Sequence, residues 1–279
     1  MTDIVTVLSH ADTEDKIQLL RDCVFNLKLQ NKKIIISTHI DIPKDLYSKV
    51  DYVVYDKENP LIKYDEYQTQ QSVVYVWSSF DGYRQDFPIE FNHAFAVHKL
   101  ILNAISIAQL NDYENLHFIN YDYVIKDGGV LNTHNSLLNF YDLVTYDWIG
   151  HGTNDNQNIC SSLFSVKLNK FSNIVSEINS KEDYCKVGSP VYEEFLWKIC
   201  NEKLKIHHIK VDTLFEKNLI AQKSIMDNFV QKISDGTDLM MYISKEDDKY
   251  YLFIGNNSSL KVIINDQEFM TNPIVSLWS

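Results

Sequence analysis

An aspartate stands directly after an apolar run that has the length of a buried strand. The run occupies residues 116–119, and the tripeptide Asn120-Tyr121-Asp122 follows it. A carboxylate at such a strand end can ligate a divalent cation, and oxygen ligands suit Mg²⁺ or Mn²⁺, which can neutralise a nucleotide diphosphate. The alternative is that Asp122 caps a turn and contacts no metal. The residue types alone leave both interpretations open.

The elements that would position this aspartate alternate between strands and helices. Apolar runs at residues 4–8, 34–38 and 52–56 predict strands, and helical periodicity predicts a helix between the first two. This alternation favours an α/β fold with a mostly parallel, doubly wound sheet. Ligands bind at the carboxyl ends of the strands in such sheets. The polar residues placed there are Ser9 and His10, Thr38 and His39, and Asp56 and Lys57.

The alternation continues along the next part of the chain. Residues 73–77 suit a strand, and turn signals at residues 81–82 and 87–88 lead to a long helix at residues 91–110. Beyond the strand at 116–119, the pattern predicts further elements. They are a helix at 135–140, strands at 143–149 and 160–166, and helices at 171–178 and 190–204. A polar run at residues 154–158 indicates a surface loop.

From about residue 237 the hydrophobic period changes to two. Apolar stretches at residues 239–243, 250–254 and 260–264 are separated by polar turns, which predicts a small antiparallel sheet. We therefore expect a large domain at residues 1–234 and a small β unit at residues 235–279. The β unit could cover the site, bind an acceptor or mediate a homodimer, and its residues do not decide among these roles.

Composition limits the classes of function. The 279 residues are 45% hydrophobic and 23% charged, as in folded soluble proteins. A formal net charge of −12 without a cluster of Lys and Arg argues against nucleic acid and anionic membranes as partners. The cysteines Cys23, Cys160, Cys185 and Cys200 lack CxxC spacing, so no zinc site or disulfide framework is expected. Because no targeting segment or long apolar run stands out, we expect a cytoplasmic protein without membrane insertion.

The segment Leu116-His117-Phe118-Ile119-Asn120-Tyr121-Asp122 resembles the apolar strand and Asp-x-Asp signature of GT-A glycosyltransferases, in particular family-two-like enzymes. Asn120 stands where those enzymes usually carry the first aspartate. The resemblance implies a GT-A fold and a metal site in which Asp122 is the stronger ligand and Asn120 lies beside it. It also implies that Tyr121 lies near the nucleotide.

The order of the shorter motifs extends the resemblance over residues 4–211. In those enzymes the end of the first strand holds the nucleoside, an acid after a later strand pairs with the base, and a helix before the signature faces the donor. The resemblance therefore implies a donor site built from Ser9, His10, Thr38, Asp56, Lys57, Lys99 and Asn103. Lys99 and Asn103 are one helical turn apart, and a solvated helix face explains them equally well.

Two later positions complete the implied site. Inverting glycosyl transfer needs a general base, and Glu193 and Glu194 open a helix where related transferases place an acidic pair facing the acceptor. The alternative is acid enrichment that offsets the helix dipole. Some GT-A enzymes close the metal site with a late histidine, which makes His208 a candidate third ligand. A hydrogen-bonded structural histidine is the alternative there.

Four large aromatic side chains could stack on sugar faces or fill the core. They are Trp77, Tyr83, Trp148 and Trp197. Trp148 is favoured for stacking, because it falls where the acceptor site should begin and Gly150 would let a ligand approach the backbone.

The leading hypothesis is a glycosyltransferase that moves a hexose from a UDP-sugar to a glycan or another hydroxyl acceptor, assisted by Mn²⁺ or Mg²⁺. Inversion and retention both remain open. Nucleotidyl transfer onto a sugar phosphate is disfavoured, because residues 9–16 lack the glycine of a phosphate-binding loop. A third hypothesis is a non-catalytic glycan-binding or assembly protein on a degenerate transferase scaffold, which the amide at Asn120 suggests.

Overall fold

The chain divides into two compact units, Met1–Gln222 and Lys223–Ser279. A computed structural model describes residues 2–63, 91–125, 128–146, 158–189 and 191–209, and strands at 220–222, 240–246, 249–255, 261–264 and 267–270. Several predictions fall outside these residues. They are the strand at 73–77, the turns at 81–82 and 87–88, most of the polar loop at 154–158, the boundary at 234–235, and the positions of Trp77, Tyr83, Trp148 and Gly150.

The first unit contains one large sheet and several short strands outside it. Its strands are β1 (Asp3–Ser9), β2 (Ile34–Thr38), β3 (Tyr52–Tyr55), β4 (Ile62–Lys63), β5 (Phe91–Asn92), β6 (Asn115–Asn120), β7 (Tyr123–Ile125), β8 (Leu143–Tyr146), β9 (Leu163–Lys167), β10 (Ile206–Ile209) and β11 (Ile220–Gln222). Seven of them form a sheet of order β10-β8-β9-β6-β1-β2-β3. All pairs in it are parallel except those of β9, which is antiparallel to both neighbours. The predicted class, α/β with a mostly parallel sheet, is confirmed.

Helices cover both faces of this sheet. They are α1 (Glu14–Leu29), α2 (Lys44–Tyr47), α3 (Ala94–Leu110), α4 (Gly129–Leu138), α5 (Leu168–Val175), α6 (Lys181–Val187) and α7 (Tyr192–Cys200). α3, α5 and α7 pack in a core on one face, and α1 and the start of α4 pack on the other. Among the helices in the described ranges, none has the length and apolar character needed to cross a membrane.

β1 explains why the strands are apolar along their whole length. Its side chains alternate between the two faces, so that Ile4 and Leu8 enter the core beneath α3 while Val5 and Val7 enter the core beneath α1. All four are buried. A parallel strand with helices on both faces has no solvated side, and a continuous apolar run is the expected sequence.

α6 corrects the sequence analysis, which predicts no helix between residues 178 and 190. Ser180 caps the helix, because its hydroxyl accepts a hydrogen bond from the backbone N–H of Asp183 at 3.1 Å. Gly188 ends it with a φ of 73°, in the left-handed region that glycine adopts without a steric penalty. Both signals are present in the sequence, but the seven-residue helix buries only Tyr184 and Cys185 and shows little periodicity.

A chain of buried polar side chains ties β9 into the sheet. The Nε2 atom of His134 is hydrogen-bonded to the hydroxyl of Tyr146. The Nδ1 atoms of His134 and His117 each lie 2.6 Å from the hydroxyl of Ser165. His117 Nε2 lies 3.4 Å from a carboxylate oxygen of Asp3, a longer contact than the others. We call these five residues the buried polar chain.

The donors and acceptors of the buried polar chain can be assigned in one consistent way. Burial lowers the pKa of His134 to about 3 and also lowers the pKa of His117, so both rings are neutral at pH 7. Since the carboxylate of Asp3 can only accept, the proton of neutral His117 is assigned to Nε2, which faces Asp3 across 3.4 Å, and Nδ1 accepts from Ser165. Ser165 then accepts from His134, which accepts from Tyr146. The hydrogen bonds among His117, Ser165, His134 and Tyr146 thus connect β6, β9, α4 and β8.

The second unit contains four described strands. They are β12 (Met240–Glu246), β13 (Lys249–Gly255), β14 (Lys261–Ile264) and β15 (Gln267–Met270). β12 pairs with β13 and β14 pairs with β15, both antiparallel. The three strands with a period of two are confirmed as antiparallel elements, and β15 is a fourth that the sequence analysis does not predict.

Candidate functional site

The carboxyl ends of β1, β2, β3 and β6 meet at one edge of the sheet, because these strands are parallel neighbours. β9 is reversed, so its beginning lies at this same edge. The residues that lead into it, Cys160, Ser161 and Ser162, form what we call the serine turn. The sequence analysis places residues 160–162 in a strand, which is wrong, because β9 begins only at Leu163.

The tripeptide after β6 is fastened to its neighbours through the backbone. The N–H of Tyr121 donates to the carbonyl of Leu8 at 3.1 Å, and the N–H of Asn120 donates to the carbonyl of Ser162 at 3.1 Å. The side-chain amide of Asn120 also lies 3.4 Å from the hydroxyl of Ser162, a long hydrogen bond. Asp122 is half-buried beside them. The tripeptide is thus held between β1 and the serine turn.

Two tyrosines flank Asp122. Burial raises the pKa of Tyr121 to about 12, and the charges of Asp122 and Asp12 add to this effect. Burial also raises the pKa of Tyr123 to about 12, although a hydrogen bond with Ser162 opposes the rise. Both phenols therefore stay protonated at neutral pH and can donate a hydrogen bond to an anion. Tyr123 is a candidate that the sequence analysis misses.

The serine turn brings Glu193 to the strand-end edge. The hydroxyl of Ser161 donates to the carboxylate oxygen Oε1 of Glu193. The N–H of Ile159 donates to the backbone carbonyl of Glu193 at 3.3 Å. The negative charge of Glu193 contributes to the raised pKa values of Tyr123 and Cys160, which places it close to both. Glu193 and the tripeptide after β6 therefore share one site.

Glu194 has a different environment. Its carboxylate accepts a hydrogen bond at 3.0 Å from the hydroxyl of Ser189, which is fully buried just before α7. This contact stabilises the start of α7, where an acidic side chain also offsets the helix dipole. The structure thus separates the two glutamates, which the sequence analysis treats as a pair.

The proposed nucleotide residues lie at the ends of β1, β2 and β3. The hydroxyl of Ser9 is buried and has no hydrogen-bond partner among the described residues. Thr38 closes a local turn, since its hydroxyl donates to the carbonyl of Ile40 at 2.8 Å. Asp56 accepts a hydrogen bond at 3.1 Å from the amide of Asn103, which joins the end of β3 to α3. Ser9 is the residue here with unused hydrogen-bonding capacity.

The charged and histidine residues around these strand ends differ in their burial and in the groups they contact. Burial lowers the pKa of His10, and the carboxylate of Asp12, 3.9 Å away, acts against this shift. His39 is buried between Asp56 and Ala96, with ring nitrogens 2.9 and 3.0 Å from their backbone carbonyl oxygens. The side chain of Lys57 is exposed, and that of Lys99, on α3, is half-buried.

His208 is distant from the tripeptide after β6. It lies on β10, which β8 and β9 separate from β6, so three strand spacings of about 4.8 Å intervene. Its ring lies 5.8 Å from that of Trp197, centroid to centroid. Within the described ranges, no group of three or more His, Cys, Asp or Glu side chains could hold a metal ion. The structure therefore does not bring His208 together with Asp122.

Comparisons with known proteins find distant structural likeness only. No protein-family model matches the sequence, and no curated protein matches it. A protein from Desulfovibrio desulfuricans G20, proposed to be a nucleotide-diphospho-sugar transferase, is 12% identical with a TM-score of 0.41, covering 75% of this chain and 80% of that chain. Core-mannan synthase A from Aspergillus fumigatus, in its Mn/GDP form, is 8% identical with a TM-score of 0.45, covering 75% and 73%.

A third similar structure belongs to another reaction class. It is a protein from Bacillus anthracis, proposed to be a glucose-1-phosphate thymidylyltransferase, which is 10% identical with a TM-score of 0.43. The match covers 75% of this chain and 87% of that chain. No activity is assigned to this chain from likeness at this level.

Proposed function

We propose that this protein is a GT-A-type glycosyltransferase that moves a hexose from a UDP-sugar to a glycan or another hydroxyl acceptor. One observation carries the proposal: the serine turn holds a half-buried carboxylate, Glu193, beside the tripeptide that contains Asp122. A donor whose diphosphate meets Asp122 would present its sugar toward Glu193. Two carboxylates with separate tasks, one for the leaving diphosphate and one for the attacking hydroxyl, suit glycosyl transfer.

The nucleoside would bind at the ends of β1 to β3. Ser9 supports this placement, because a buried hydroxyl without a partner costs free energy unless a ligand satisfies it. Asp56 is the acid after a later strand, and its hydrogen bond with Asn103 orients the carboxylate. Tyr121 and Tyr123, both protonated, could donate to a phosphate or a sugar oxygen. Asn103 then acts through Asp56 and need not touch the donor.

The residues present fit a cation that is held mainly by the donor. The carboxylate of Asp122 and the side-chain carbonyl oxygen of Asn120 are hard oxygen ligands of the kind that Mg²⁺ or Mn²⁺ prefers. Mg²⁺ commonly uses one or two carboxylates together with substrate phosphates and water. When bound, such a cation supplies charge neutralisation for the departing diphosphate. Asp122 would hold it, with Asn120 as a weaker neighbour.

Glu193 would act as the general base if the reaction inverts. Its Oε1 atom already accepts from Ser161, so Oε2 is the atom that would take the proton from the acceptor hydroxyl. Glu194 would support the start of α7.

A panel of nucleotide sugars with Mn²⁺ tests the proposal directly. Thermal shift would report binding, and release of free nucleotide would report turnover. We expect one UDP-sugar to raise the melting temperature and to release UDP when acceptor is added, and Asp122→Ala to lower turnover on the order of a hundredfold. If no donor gives either signal and Asp122→Ala matches the parent, the enzyme proposal fails, and a non-catalytic glycan-binding role becomes the better explanation of Asn120.

A further inference from the structure

The serine turn is hydrogen-bonded to three separate elements at the strand-end edge. The N–H of Cys160 donates to the buried hydroxyl of Thr145 on β8 at 2.9 Å. The carbonyl of Ser162 accepts from the N–H of Asn120 at the end of β6. On the other side, Ser161 donates to Glu193 in the first turn of α7. Consecutive residues of one short turn thus connect β8, α7 and β6.

We propose that Ser161 is a positioning residue that fixes the direction of the Glu193 carboxylate toward the acceptor. This inference rests on the proposed function of Glu193. Cys160 and Ser162 are hydrogen-bonded to the sheet on both sides of Ser161, so the position of Ser161 relative to the sheet is fixed. The backbone N–H of Asn120 donates to Ser162, and part of the role of Asn120 is therefore to hold the serine turn in place.

A hydrogen bond donated to a carboxylate restricts the rotation of the side chain. This restriction matters for a base, since a carboxylate that turns away cannot accept the proton of the acceptor. Replacement of Ser161 should therefore lower kcat.

The chain provides a matched control one residue further along the helix. The Ser189 hydroxyl lies 3.0 Å from the Glu194 carboxylate and 3.1 Å from the carbonyl of Val191, and it shares its one proton between them. Glu193 and Glu194 both lie in the first turn of α7. Loss of either hydroxyl removes one hydrogen bond to a half-buried glutamate. A general loss of stability would therefore be shared by Ser161→Ala and Ser189→Ala, whereas a fall in kcat would be specific to the residue that positions the base.

The experiment compares the full chain with Ser161→Ala, Ser161→Thr and Ser189→Ala, using the donor that the parent accepts. We expect Ser161→Ala to lower kcat on the order of tenfold, with the donor KM changed less than about twofold. Ser161→Thr keeps the hydroxyl and should restore kcat, and Ser189→Ala should leave kcat within about twofold of the parent.

Crystal structures of the parent, Ser161→Ala and Ser161→Thr show the direction of the Glu193 carboxylate independently of turnover. The proposal predicts that the Glu193 carboxylate turns away in Ser161→Ala and returns in Ser161→Thr. An unmoved carboxylate in Ser161→Ala, or an unchanged kcat, overturns it. If the parent transfers no sugar at all, the proposed function fails, while the crystallographic comparison still shows whether Ser161 controls Glu193.

Discussion

Acid should destabilise this protein through histidines that are buried in the neutral form. His134, in the buried polar chain, has a pKa of about 3, and His98 has a pKa of about 4 because it is also desolvated. An unfolded chain would bind protons on both rings with a pKa of about 6.5. Their contribution to stability is therefore complete above pH 6.5 and is lost as the pH falls from 6.5 toward 4.

The magnitude follows from proton linkage. Between pH 7.5 and pH 5, each of these two histidines should remove about 2 kcal/mol from the free energy of unfolding. The combined loss of about 4 kcal/mol is a large part of the 5–15 kcal/mol typical of a folded domain. Carboxylates such as Asp3, whose pKa is lowered chiefly by its hydrogen bond with His117, add their effect only below about pH 4.

His134→Gln isolates the contribution of His134. Glutamine keeps a donor and an acceptor but does not titrate, so the loss between pH 7.5 and pH 5 should shrink by about 2 kcal/mol even if the variant is less stable at pH 7.5. Urea unfolding followed by circular dichroism at each pH gives these free energies. Thr133→Ala, exposed on the same helix, is the control and should keep the slope of the parent. A slope in His134→Gln equal to that of the parent would refute the proposed origin.

Two further predictions concern side chains that the structure singles out. Ser9→Ala removes a buried hydroxyl that has no partner in the part of the chain that the structure describes, so the free energy of unfolding should stay the same or rise by up to about 1 kcal/mol, while UDP affinity falls in isothermal titration. A loss of stability without a change in UDP affinity would contradict a nucleotide role for Ser9. Ser180→Ala removes the cap of α6 and should cost about 1 kcal/mol in urea unfolding, whereas Ser180→Thr, which retains the hydroxyl as acceptor and donor, should restore most of it.

The elements that the sequence predicts well are those with a strong hydrophobic pattern. β1 and β2 are buried on both faces, and their apolar runs coincide with the strands to within a residue. α3 also has a sustained helical period. β7 and α6 are short and bury few side chains, so their patterns are weak even though Ser180 and Gly188 mark the ends of α6.

The candidate site is harder to derive, because its contacts join residues that are far apart in the chain. Residues Asp122, Glu193 and Asp56 can be selected as acids at element ends, but the sequence does not show that Asn103 pairs with Asp56. The serine turn cannot be predicted from the sequence, for a related reason. Ser161 and Ser162 precede the apolar start of β9, and the direction of that strand depends on its neighbours in the sheet.

The reversal of β9 has a consequence for engineering. β8 runs toward the strand-end edge and β9 runs away from it, so the chain leaves the sheet after Tyr146 and re-enters it at Leu163 on the same side. An exchange of residues in this connection would therefore have to keep Cys160, Ser161 and Ser162, because their hydrogen bonds join β8, α7 and β6.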